Sequence, residues 1–178
     1  MIRFLMIALV AVLGMSAPRL AHAQVTVTRS PATAPTLGTT IRGTTATTFT
    51  VSTSGAVTRT SGDAIRLTGG SITTPTFSVN CGLLNLSGLC ALRYIRVTIT
   101  PVGGGAASVT RFRVGGLSGA TYRTGSAPAE GSSVTFDLNP LGLLSTATFR
   151  LGMDVTLAAN APSGAHDFDY IVTVELVR

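Results

Sequence analysis

Residues 147–157 read ATFRLGMDVTL, and after the turn NAPSG at 160–164 the chain resumes as AHDFDYIVTVEL at 165–176. Phe149, Leu151, Met153, Val155 and Leu157 take every second place, with Arg150, Gly152, Asp154 and Thr156 between them. The second run repeats the period with Phe168, Tyr170, Val172, Val174 and Leu176. Successive side chains of a strand point to opposite faces, so a period of two over this length predicts strands with one face buried and one wet. Two such strands joined through a Pro/Gly turn are expected to form an antiparallel pair.

Outward from this stretch the same alternation recurs in shorter pieces. It marks 24–29 with Val25 and Val27, more weakly 37–41 with Leu37 and Ile41, and 47–52 with Phe49 and Val51. It continues around Val57 and Ile65, then through Phe77, Val79 and Cys81, and through Ile95, Val97 and Ile99. Phe112 with Val114, and Val134 with Phe136 and Leu138, complete the series. Nine or ten short strands at regular intervals predict an all-β fold, an immunoglobulin-like or pilin-like antiparallel β-sandwich. Helix is expected only in short turns, best at 141–144. The competing all-β architecture is a small outer-membrane barrel. Its strands need about 9–11 residues and usually carry aromatic girdles, whereas aromatics are only 6% of this chain.

The front of the chain has a different character. Arg3 gives a positive start, Phe4 to Ala17 is almost unbrokenly apolar, and Ala21-His22-Ala23 is a small-x-small cleavage pattern. That layout predicts a secretory signal peptide over 1–23, cut before Gln24. A membrane anchor fits less well, since a span needs roughly 20 apolar residues. No later segment is apolar enough to predict a transmembrane helix. The expected organisation is therefore 1–23 leader, 24–36 N-terminal arm and linker, and 37–178 a single β-sandwich domain. Export to the periplasm, cell surface or medium follows from the leader.

All thirteen basic residues are arginine, against seven acids. Arg3 and Arg19 would leave with the leader, so the exported chain keeps a modest positive excess. The arginines are scattered, which argues for a solvated surface rather than nucleic-acid binding. Arg111 and Arg113 share a strand face and are the one pair that could meet anionic polysaccharide or lipid. Cys81 and Cys90 are the only cysteines. In an oxidising compartment they are expected to form a disulfide, worth roughly 2.5–3 kcal/mol for a loop of this length. No histidine stands near them to make a zinc site, and a redox pair would be closer in sequence.

Catalytic machinery is not expected. His166 is the only histidine after the leader, flanked by Asp167 and Asp169. That cluster could in principle supply a base or hold a hard cation, but its place at the mouth of the last strand reads as a polar rim. There is no nucleophile elbow, P-loop or dinucleotide fingerprint. No cofactor or metal is expected. Tyr94 and Tyr122 are the rings left over for an exposed platform once the phenylalanines are assigned to core faces. The disulfide loop carries Leu83, Leu84, Leu86 and Leu89, which either cap the core or form a contact patch.

The segment 147–157, with Ala161-Pro-Ser-Gly164 and Tyr170-x-Val-x-Val174, resembles a family of exported bacterial β-sandwich domains of unknown function. Its closing strand is also similar to that of spore coat protein U-type pilins, which a chaperone and usher assemble. Ser54-Gly55 and Thr76-Phe-Ser-Val79 fit the same layout. His166 departs from the family's usual tyrosine and Phe168 from its glycine, and the Cys81–Cys90 loop is an insertion. The resemblance implies a non-enzymatic structural or adhesive subunit. It would be joined to other copies or related subunits by strand complementation, with a periplasmic chaperone as partner. The donor would be the arm with Val25 and Val27, continuing through Leu37 and Ile41. The alternative is a self-complete monomeric binding module, whose arm would fold back as the domain's own strand.

Overall fold

The computed structural model describes residues 25–81, 89–103, 105–142 and 144–178. Among them are β1 (Thr26–Ser30), β2 (Thr36–Ile41), β3 (Thr47–Val51), β4 (Val57–Ser61), β5 (Ile65–Arg66) and β6 (Thr76–Asn80). A single-turn helix, α1 (Leu89–Leu92), precedes β7 (Tyr94–Pro101), β8 (Ala107–Ser118), β9 (Val134–Leu138), β10 (Thr146–Leu157), β11 (Gly164–Asp167) and β12 (Tyr170–Val177). The fold is all-β and sandwich-like, and every strand pairing is antiparallel.

Sheet A runs β1-β6-β10-β3-β4, with β8 on the other flank of β10. Sheet B is β11-β2-β5 and sheet C is β12-β7-β9. The twelve residues of β10 bind three neighbours. One flank pairs with β6 through Thr146–Arg150 and then with β3 through Met153–Leu157, while the other runs along β8. Inward positions match across these ladders: Phe149 opposes Phe77, Met153 opposes Val51 and Val155 opposes Phe49. All six are buried. Sheet C lies across the core from sheet A, as ring contacts show. Phe136 of β9 meets Phe149 edge-on at 5.6 Å, and Tyr170 of β12 meets Phe112 of β8 at 5.6 Å. The core thus sits between sheet A and a second layer, where the period-two patterns of both layers direct their apolar faces.

Three expectations are corrected. The two C-terminal runs are not paired: β10 belongs to sheet A, while the second run breaks at Phe168 and Asp169 into β11 in sheet B and β12 in sheet C. Alternation fixes which face is buried, and strands facing each other across a core satisfy it as well as neighbours in a ladder. With that break, the strands among the described residues number twelve rather than nine or ten. The expected helix at 141–144 is absent among the described residues there, where Leu144 takes φ 63° in a turn. The one helix among the described residues is α1, beside the disulfide. No helix among the described residues is long and apolar enough to cross a membrane.

Candidate functional site

The N-terminal arm lies in its own chain's sheet. β1 runs along β6 with Val27 opposite Val79 and Arg29 opposite Phe77. Val25 is buried, and Val27 is half-buried against the core. The other flank of β1 faces β12. No ladder joins them among the described residues, because β12 bonds only to β7 and stands at the edge of its sheet. An ion pair spans the seam, Arg29 Nη1 to Asp169 Oδ1 at 2.9 Å. Asp169 Oδ1 also accepts from the Tyr170 amide at 2.8 Å, and Arg29 Nη2 donates to the Ala32 carbonyl at 2.6 Å. Beside these contacts is a small cleft of about 200 Å³ lined by Val27, Phe77, Tyr170 and Val172.

The two flanks of sheet C differ in how well they are covered. Val134, Phe136 and Leu138 of β9 are buried, as are Ile95, Val97 and Ile99 of the central β7. The inward residues of neighbouring β12, Val172, Val174 and Leu176, pack on the core yet stay partly exposed. The sandwich is therefore incompletely closed along β12, and β1 is the strand that lies in that opening. An unpaired strand edge beside half-covered apolar side chains is the geometry that accepts an added strand.

Cys81 and Cys90 are joined as a disulfide, with Cα atoms 6.2 Å apart. It ties the end of β6 to α1, and the Leu141 amide donates to the Cys90 carbonyl at 3.1 Å. Leu83, Leu84 and Leu86 lie outside the described residues, and Leu89 opens α1. Close to the staple, Leu92 and Leu144 are largely exposed, at 78% and 77%. Further along the chain, Leu37 is buried within β2, whereas Ile41 is exposed.

The polar groups singled out in the sequence are engaged in structural contacts. His166 is nearly buried, and its Nε2 lies 2.8 Å from the Pro162 carbonyl. A carbonyl only accepts, so this nitrogen carries the proton. Asp169 turns to Arg29 across the seam. Arg113 forks onto Asp154 at 2.8 and 3.1 Å and reaches Glu130 at 2.9 Å, and Arg111 shares the same two acids. Tyr94 lies beneath the Arg123 guanidinium at 3.9 Å, and Tyr122 packs edge-on against Phe136. Sequence reasoning missed the open flank of β12 and two arginines, Arg59 and Arg66, that line one cleft. Neither had a signal in spacing, because pairing partners and cleft walls come from distant parts of the chain.

No family model, curated protein or solved structure matches the chain.

Proposed function

We propose that the protein is a non-enzymatic structural or adhesive subunit, exported to the periplasm, cell surface or medium, whose copies join by exchanging the N-terminal arm. The position of β1 carries this reading. It is a five-residue strand held by its ladder to β6, by hydrogen bonds from Thr26 to Asn80 and from Thr28 to Ser78, by the Arg29–Asp169 ion pair and by Val27, in an opening between β6 and β12. Residues 31–35, bounded by Pro31 and Pro35, separate it from β2. The same arm from a neighbouring copy would make the same contacts, so exchange gives up no interaction and links one subunit to the next. A chain whose opening is unfilled would expose Val172, Val174 and Leu176, which gives a periplasmic chaperone a reason to act as partner. Similarity to the spore coat protein U-type pilins belongs to this proposal on the same footing.

The second reading, a self-complete monomeric binding module, draws on the same strand. With the arm tethered a few residues from its groove, intramolecular closure enjoys a high effective concentration. Cell-surface and periplasmic material run on SDS gels, with and without boiling and reductant, separates the two. A ladder that collapses only on boiling is expected for exchanged subunits, and a single band at the mature mass under every condition would sink that reading.

A further inference from the structure

The two layers part at the turn Gly62–Ala64, where β4 forms the edge of sheet A and β5 the edge of sheet B. The cleft between them measures about 980 Å³ and is lined by Val57 and Arg59, by Ile65 and Arg66, and by Thr68 to Ser71, with Phe49 behind. Arg59 is an exposed residue of the cleft wall. It stands opposite Phe49 as Val57 stands opposite Val51, and both of those partners are core residues.

Both guanidinium groups are fixed by carbonyls rather than by carboxylates. Arg59 Nη1 donates to the Ala64 carbonyl at 3.0 Å. Arg66 donates from Nε to Leu37 at 2.6 Å and from Nη1 to Gly70 at 2.9 Å. Arg66 Nη2 is buried with no hydrogen-bond partner among the described residues, and burial weakens the hold of this guanidinium on its proton. The acid in the lining, Asp63, is committed elsewhere. Its two oxygens accept from the amides and hydroxyls of Thr44 and Thr45 at 2.6 to 2.9 Å, which holds its carboxyl far below the usual range. The acidic partners go instead to Arg29, Arg96, Arg111, Arg113 and Arg123.

We propose that this cleft binds a carboxylate-bearing ligand, with Arg59 and Arg66 as its two cationic contacts. Guanidinium forks match carboxylates in shape, and forks already pinned lose little freedom on binding. The volume is that of a small-molecule site rather than a lone ion. Thr68, Ser71 and the backbone of Gly69 and Gly70 add hydroxyls and peptide groups to the wall, which suits a polyhydroxylated acid. The carboxylate can come from a free polycarboxylic acid or from a uronate unit of an acidic glycan. The proposal holds whether copies exchange arms or remain monomeric.

Isothermal titration of the exported chain, disulfide intact and at low salt, tests it with citrate, trigalacturonate and the neutral maltotriose. Binding of at least one acid and none of maltotriose is expected. The Arg59→Gln variant should weaken that binding about tenfold or more, the loss of one charge-assisted contact. Arg150→Gln removes the same charge from an exposed site on β10 and should leave affinity within about twofold. Because Arg66 also braces Leu37 and Gly70, Arg59→Gln carries the test. Citrate binding alone assigns a free acid, and trigalacturonate binding alone assigns a glycan. No heat from either acid, equal binding of maltotriose, or equal weakening in the two variants overturns the proposal, the last by showing diffuse surface charge.

Discussion

Asp154 accepts two bonds from Arg113, at 2.8 and 3.1 Å, and one from Thr50 at 2.7 Å, with Arg111 at 3.7 Å. Burial opposes its charge, yet these donors prevail and keep its carboxyl below the ordinary aspartate range. Arg96 does the same for Asp137, against burial and with help from Arg123. Between the folded and unfolded pKa values the unfolded chain binds more protons, so stability rises with pH there. The contribution is complete above about pH 4 and fades as pH falls through the depressed folded values. Asp154→Asn should cost about 2 kcal/mol at neutral pH and flatten the acid limb, as read from urea midpoints at pH 7 and pH 3. Tyr170 presents the opposite case. Its ring is buried against Phe112 and Phe77, its hydroxyl has no partner among the described residues, and burial pushes its pKa up. Tyr170→Phe should therefore raise stability by about 1 kcal/mol in urea denaturation, since an unsatisfied buried hydroxyl is a net cost. The period placed Tyr170 on the core face, but whether its hydroxyl finds a partner depends on β6 and β8, which no local pattern names.

Along β10 one flank changes partner between Arg150, opposite Thr76, and Met153, opposite Val51. Gly152 sits at the change. A Cβ there would lie 3.0 Å from the Val51 carbonyl oxygen and 3.1 Å from the Thr53 amide nitrogen, both backbone atoms. Gly152→Ala should loosen the β3 end of the junction and lower stability by about 1–3 kcal/mol, seen as a lower thermal midpoint. Opening the disulfide with Cys81→Ser and Cys90→Ser should cost roughly 2.5–3 kcal/mol, checked by the urea midpoint of the double variant. Faces of strands were readable throughout: Phe49, Phe77, Phe112, Phe136 and Phe149 are all buried where alternation put them. Partners were not, because a ladder's register is decided by whichever distant strand completes the layer. The split of the last run into β11 and β12 depends on Phe168, whose amide donates to the Pro35 carbonyl at 3.2 Å. That contact joins residues far apart in the chain and left no mark in the alternation.

For the molecule as a whole, the arm and the two-layer core were legible, and the way the layers gape was not. Val25 and Val27 announce a strand, while nothing in them says whose sheet it joins. Arg59 looks like any solvated arginine until Arg66 is seen in the wall of the same cleft. On the arm-exchange proposal, deleting residues 24–35 should leave no boiling-sensitive ladder on SDS gels, and a ladder that survives the deletion would rule out arm exchange. There is also a matter of timing. Among the described strands β1 comes first along the chain, and the strand bounding the far side of its opening, β12, comes last. A polypeptide that emerges amino end first, from a ribosome or through a membrane pore, releases its arm long before its own receptacle is finished. On the arm-exchange proposal, the free arms of earlier-emerged copies compete for β6 during that interval on the same terms. If copies do exchange arms, the local density of emerging chains decides whether each arm closes at home or on a neighbour, and the outcome is settled by traffic before the finished fold exists.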